Sequence, residues 1–171
     1  MKFADFQKLV RMMFEPDASG APRQRYGSVE ARSLNPLVAA YIGDAYYHLF
    51  VRRRLLAYEQ SKVQVLDRFS AQIVSAAWQA RAYQAIESSL TEAERDVFRR
   101  GRNAHSHAPR VASVRDYHAS TGFEALLGTL WLNGENARLE EIAEAAFQAS
   151  ARAMMAARPE GEESKKGEPK S

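Results

Sequence analysis

The reading of the fold turns on LNPLVAAYIGDAYYHLFVRRRLL, residues 34–56. Asn35 and Pro36 open it as a helix, since Asn accepts from the free amides of a first turn and Pro tolerates the first helical position. The apolar residues that follow predict a helix packed inside a bundle and running to about Ala57. In its middle, between Ile42 and Ala45, stands Gly43-Asp44, where a core helix gains nothing from a carboxylate. A buried carboxylate is strongly disfavoured unless it is protonated, paired, hydrogen-bonded or bound to a metal.

Asp44 has a counterpart. Glu124, in STGFEALLGTLWL, also lies on an apolar helix, between Phe123 and Ala125. Two such carboxylates on different helices can converge inside a bundle and share a divalent cation. Oxygen ligands and a chain without Cys point to Mg²⁺, with Mn²⁺ as the alternative, rather than to zinc. The competing reading places each carboxylate at a helix edge facing water, or pairs it with an Arg such as Arg52, Arg53 or Arg54. Spacing alone leaves the two readings open.

The remaining segments carry helical rather than strand periodicity. A short amphipathic helix is expected over Phe3–Phe14, and EPDASGAPRQRYGS then breaks it as a mobile loop. A second long helix is expected over Val63–Glu87, with Val63, Leu66, Phe69, Ile73, Ala76, Ala77, Ala80 and Tyr83 toward the core. Thr91 and Glu94 form a capping box for a helix that closes near Gly101. Residues 102–116 read as a polar, basic loop, and YHASTGFEALLGTLWLNG as a buried helix stopped at Asn133-Gly134. A last amphipathic helix follows, and the tail from residue 158 lacks any apolar anchor and reads as disordered. The expected organisation is an N-terminal helix and loop (1–33), one helical domain (34–157) and a charged tail (158–171).

The chain has 171 residues, 46% of them hydrophobic and 26% charged, a composition that suits one globular domain. It has no Cys, which excludes a disulfide framework and a thiolate metal site. The N-terminus MKFADFQKLV lacks the apolar run of a signal peptide. No apolar run approaches the roughly 18 residues that a membrane span needs, so a cytoplasmic protein without a membrane partner is expected. Net charge is +3. Within residues 95–118, six Arg against Asp96 and Asp116 give +4, and the same window holds three of the four His. Such a cluster suggests a phosphate-rich partner, although a solvated helix end with its loop gives the same pattern. Cation-held carboxylates beside such a loop are coherent with a metal-dependent phosphodiesterase.

Taken in order, YIGDAYYHLFVRRRLL, RFSAQIVSAAWQA, LTEAERDVFRRGRNA and STGFEALLG resemble the ribonuclease III family. RRGRNAHSH and YHASTGFEAL resemble the pattern of its reduced form, Mini-ribonuclease III, which consists of the catalytic domain alone. The similarity covers about Leu34 to Phe147. It implies an all-α, ribonuclease III-type helical bundle that is dimeric and cuts double-stranded RNA with Mg²⁺. Metal-activated water attacks the phosphodiester, leaving a 5′-phosphate and a 3′-hydroxyl. The reduced form is associated with the stems flanking precursor 23S ribosomal RNA, which makes a ribosomal protein or pre-50S particle a further partner. No double-stranded-RNA-binding domain is expected after residue 157.

By motif, the resemblance makes Asp44 and Glu124 the catalytic, metal-binding carboxylates. It places Arg100, Arg102, Asn103 and His105 on the RNA-binding loop, with His105 and His107 also readable as plain surface residues. The larger family carries two further acids, where this chain has Ala40 and Thr121. That departure leaves the number of ions per centre open. It also supports an alternative, a non-catalytic structured-RNA or ribosome-binding protein with a ribonuclease III-like fold. Arg52, Arg53 and Arg54 read first as charges opposing the helix dipole. Trp78, Trp131, Phe123, Tyr46 and Tyr47 read as core or dimer interface, because duplex RNA offers little base face to stack on.

Overall fold

The computed structural model describes residues 3–104 and 113–157. Among them are α1 (Phe3–Met13), α2 (Pro36–Leu55), α3 (Val63–Ile73), α4 (Ala76–Ile86), α5 (Glu92–Arg102), α6 (Val114–Leu132) and α7 (Asn136–Ala156). One 3₁₀ turn, Glu87–Ser89, joins α4 to α5, and the described residues contain no strand. The all-α expectation holds. No described helix is long and apolar enough to cross a membrane.

The helix ends form for the reasons the sequence offers. Asn35 Oδ1 accepts from the Leu37 amide at 2.9 Å, with Pro36 as the first helical residue. Thr91 Oγ1 accepts from the Glu94 amide at 3.2 Å, and Glu94 Oε2 accepts from the Thr91 amide at 2.7 Å. Arg138 of α7 then donates to Glu94 Oε1 at 2.8 Å, tying the start of α5 to α7. Ser113 caps α6, three residues earlier than Asp116 whose amide it receives, so this helix begins inside the expected loop. Gly134, at φ 73°, supplies the left-handed turn that ends the α6 connection.

α2 and α6 form the centre of the bundle, and their crossing is made by two glycines. A Cβ on Gly43 would stand 1.8 Å from the Glu124 carbonyl oxygen, and one on Gly128 would stand 1.8 Å from the Ala39 carbonyl oxygen. Only hydrogen atoms fit there, so the two backbones touch directly. Around this contact the core gathers Tyr47, Val51, Phe123, Leu127, Ile142 and Phe147, all buried. The Tyr47 and Phe123 rings meet edge to face at 5.2 Å. Each such side chain stabilises the fold by about 1.5–3 kcal/mol relative to its exposed state. α5 lies against α6 through Gly101, whose missing Cβ would be 2.6 Å from Ala125 Cβ.

Two expectations need correction. The long helix over Val63–Glu87 is two helices, broken at Val74-Ser75, where Ser75 is extended (φ −68°, ψ 151°). The Ser75 hydroxyl donates back to the Gln72 carbonyl at 2.8 Å, which competes with continuing the helix. Val63 and Phe69 on α3 and Ala77 in the first turn of α4 are exposed rather than core. The segment Glu15–Ser28 is a non-helical connection built on Asp17, whose Oδ1 accepts from Ser19 and Ala21. α1 forms as expected but buries none of its residues. Residues 158–171 lie outside the described residues.

Candidate active site

Asp44 stands in the middle of α2 and Glu124 in the middle of α6. The glycine contact brings the Glu124 backbone carbonyl against Gly43, the residue before Asp44. That backbone contact brings the two helices together beside both carboxylates, near enough for the Asp44 charge to act on Glu124. Their surroundings differ. The Asp44 side chain is 50% exposed, so it is not the buried charge that its apolar flanks suggest. Glu124 is only partly exposed. Burial pushes its carboxyl up to about 8, the nearby Asp44 charge pushes in the same direction, and a hydrogen bond from the Gln79 amide opposes both.

The companion positions are apolar or neutral. Ala40 is buried, and the buried Thr121 spends its hydroxyl on the Tyr117 carbonyl at 3.0 Å. Among the described residues, no group of three or more His, Cys, Asp or Glu side chains is gathered as a metal site. Two carboxylates that repel one another, with His48 the one cationic-type side chain paired to either among the described residues, still fit a hard divalent cation. Mg²⁺ needs one or two carboxylates and otherwise keeps its waters.

At the end of α5, Gly101 sits against the Thr121 carbonyl and Gly122 of α6, and Arg102 and Asn103 follow it in the chain. Both are exposed; Arg102 lies over the Phe98 ring at 5.9 Å and donates to Asn103 Oδ1 at 3.4 Å. Arg100 is directed elsewhere, donating to the carbonyls of Arg32 at 3.2 Å and Leu34 at 3.4 Å. His105 and His107 lie outside the described residues. Arg53 pairs with Glu140, and Arg54 grips Glu144 of α7 through two bonds of 2.7 and 2.8 Å. Those two arginines join helices as well as opposing a dipole.

The Ribonuclease III domain family matches residues 37–135, which contain both carboxylates. Mini-ribonuclease 3 of Symbiobacterium thermophilum is 49% identical over 115 residues, covering 67% of this chain and 88% of that protein. This chain belongs to the ribonuclease III family. Within it, the chain is a Mini-ribonuclease 3-type member. Mini-ribonuclease 3 of a Thermoanaerobacter species is 44% identical over 117 residues, covering 68% of this chain and 82% of that one. A crystal structure of a Fusobacterium nucleatum protein superposes with a TM-score of 0.63 at 25% identity, covering 71% of this chain and 98% of that chain.

Two neighbours of the carboxylates escaped the sequence reading. His48 Nε2 lies 3.3 Å from Asp44 Oδ1, one turn along α2. The i, i+4 spacing could have found it. Gln79, buried on α4, opposes the upward push on the Glu124 carboxyl. No local pattern announces Gln79, because its approach depends on the break before α4. Of the aromatic residues, Phe123 and Tyr47 are core as expected. Trp131 is half exposed beside Tyr46, ring to ring at 5.8 Å.

Proposed function

We propose that this endoribonuclease cuts double-stranded RNA with Mg²⁺ held by Asp44 and Glu124, that it works as a homodimer, and that its substrates are stems of the kind that flank precursor 23S ribosomal RNA. The observation that carries the reading is the convergence of the two carboxylates at the backbone contact of α2 and α6. A bound divalent cation supplies positive charge against the phosphate and activates water toward the phosphodiester. The chain's own residues do the rest. Asp44 offers a carboxylate open to solvent, where a phosphate can approach. Glu124 gives up its proton when it takes a cation as ligand. Arg102 and Asn103 offer donors to the RNA backbone, which positions the strand without reading its bases.

An apolar surface supports the second copy. Tyr41 and Leu49 on α2 and Val63 on α3 are among the exposed large hydrophobic side chains, and Leu49, Leu56 and Val63 line one hollow between the two helices. Such a patch marks an interface more often than a bare surface. The non-catalytic alternative rests on Ala40 and Thr121, which supply no carboxylate.

The deciding experiment incubates a duplex RNA with the protein in Mg²⁺ or chelator, beside Asp44→Asn. Expected are cleavage in Mg²⁺, none in chelator, and retained binding with at least a hundredfold slower cleavage in the variant. Binding without cleavage in Mg²⁺ or Mn²⁺ would hand the reading to the alternative.

A further inference from the structure

His48 follows Asp44 by one turn of α2, and its Nε2 stands 3.3 Å from Asp44 Oδ1. Side chains four apart on a helix are neighbours, so spacing accounts for their closeness. It does not account for an imidazole. The two side chains are 36% and 50% exposed, and a pair so open to solvent contributes little to stability. What the pair does offer is two donors at the separation of neighbouring ligands. Adjacent corners of an octahedral ion with bonds of about 2.1 Å lie roughly 3 Å apart. Among the described residues no third His, Asp or Glu is gathered with them, and Glu124 joins them only as the cation-held partner proposed above. The crossing of α2 and α6 suits that role. The helices run antiparallel there, since Gly43 meets the Glu124 carbonyl and Gly128 meets the Ala39 carbonyl. One turn further along α2, Tyr47 meets the Phe123 ring. The level of His48 on α2 therefore matches the turn of α6 that leads into Glu124. On that turn Thr121 supplies no carboxylate and gives its hydroxyl to the Tyr117 carbonyl.

We propose that His48 is a ligand of the metal centre: with Asp44 it forms an i, i+4 chelate on α2, to which Glu124 adds from α6, and its nitrogen sets which divalent cation the centre prefers. The inference rests on the reading of Asp44 and Glu124 as cation ligands. Carboxylates alone suit Mg²⁺ and Mn²⁺, whereas an imidazole favours later first-row ions, in the order Mn²⁺, Fe²⁺, Co²⁺. Mg²⁺ is satisfied by one or two carboxylates and its own waters, so it gains little from the nitrogen. His48 thus adds affinity for Co²⁺ above all, and leaves Mg²⁺ to the two carboxylates.

The test uses the full chain with His48→Ala and His48→Glu, folding being read by circular dichroism. Mn²⁺ is bound first, seen as the loss of the free-ion electron paramagnetic resonance signal. Mg²⁺ and Co²⁺ are then titrated against it, so that only the shared centre is read. Removing even an outer partner of a ligand costs metal affinity roughly 10–100-fold, so His48→Ala should lose about tenfold or more in Co²⁺ affinity. Its Mg²⁺ affinity should change less. His48→Glu, which returns an oxygen donor, should shift the preference from Co²⁺ toward Mg²⁺. Bound Co²⁺ should also displace a histidine ring resonance that is absent from His48→Ala. A histidine with a merely structural role would leave the ratio of Co²⁺ to Mg²⁺ affinity where it was. The wild-type ratio in either folded variant overturns the assignment while leaving the two-carboxylate reading intact. A wild-type protein that takes up no Mn²⁺ overturns both.

Discussion

Asp44 and Glu124 carry the same functional group, and the protein gives them different environments. Glu124 is pushed up to about 8, first by burial and then by Asp44, so near pH 7 its protonated form predominates in the cation-free protein. Cation uptake must expel that proton. At pH 7, binding should release close to one proton, read by calorimetry in buffers of different ionisation enthalpy. Affinity should climb between about pH 5 and 8, then level off, and Glu124→Gln should abolish the release. Stability follows the same sign. The folded carboxyl binds its proton more tightly than the unfolded one, so in chelator the contribution is complete below the ordinary value of 4.5. It is lost as pH rises toward 8. A Tm in chelator that does not fall over this window would contradict the burial assigned to Glu124. Both carboxylates were visible in the sequence because a charge among apolar neighbours needs an explanation. His48 was equally visible by spacing. Gln79 was not, since an amide in an amphipathic helix looks like surface.

The helices themselves were legible where end signals are chemical. Asn35-Pro36, Thr91 with Glu94, and Asn133-Gly134 all act where the side chains said they would. The division between α3 and α4 was hidden because FSAQIVSAAWQA contains no Pro or Gly, and Ser75 breaks a helix only by bonding back to Gln72. Gly43 and Gly128 lie within helices and form the contact between them. Gly43→Ala should push α2 off the Glu124 carbonyl and cost about 3 kcal/mol or more, because backbone gives way less than a side chain. Gly128→Ala should behave alike through the Ala39 carbonyl. Chemical denaturation measures the loss, and a drop under 1 kcal/mol in both would mean that the helices are not held this closely.

Across the whole molecule, charge and apolar surface fall on different elements. Arg99, Arg100 and Arg102 stand in the last turn of α5, whereas α2 and α3 turn Tyr41, Leu49, Val63 and Phe69 outward. Val63 and Phe69 looked like core residues in the sequence because an apolar residue at helical spacing reads the same whether it packs inside or stays exposed. A homodimer through this apolar surface should appear by sedimentation equilibrium, and Leu49→Asp should convert it to a monomer of unchanged helicity. A wild-type monomer at micromolar concentration would remove this surface from the interface. The glycine crossing adds one last consequence. Where helices are separated by interlocking side chains, each substitution resets their distance slightly. Here the gauge between the two carboxylates is main chain against main chain, and main chain is common to every sequence. Layers farther out are thus free to drift in composition, tuning how durable the protein is, while the gap between α2 and α6 at Asp44 and Glu124 keeps its width.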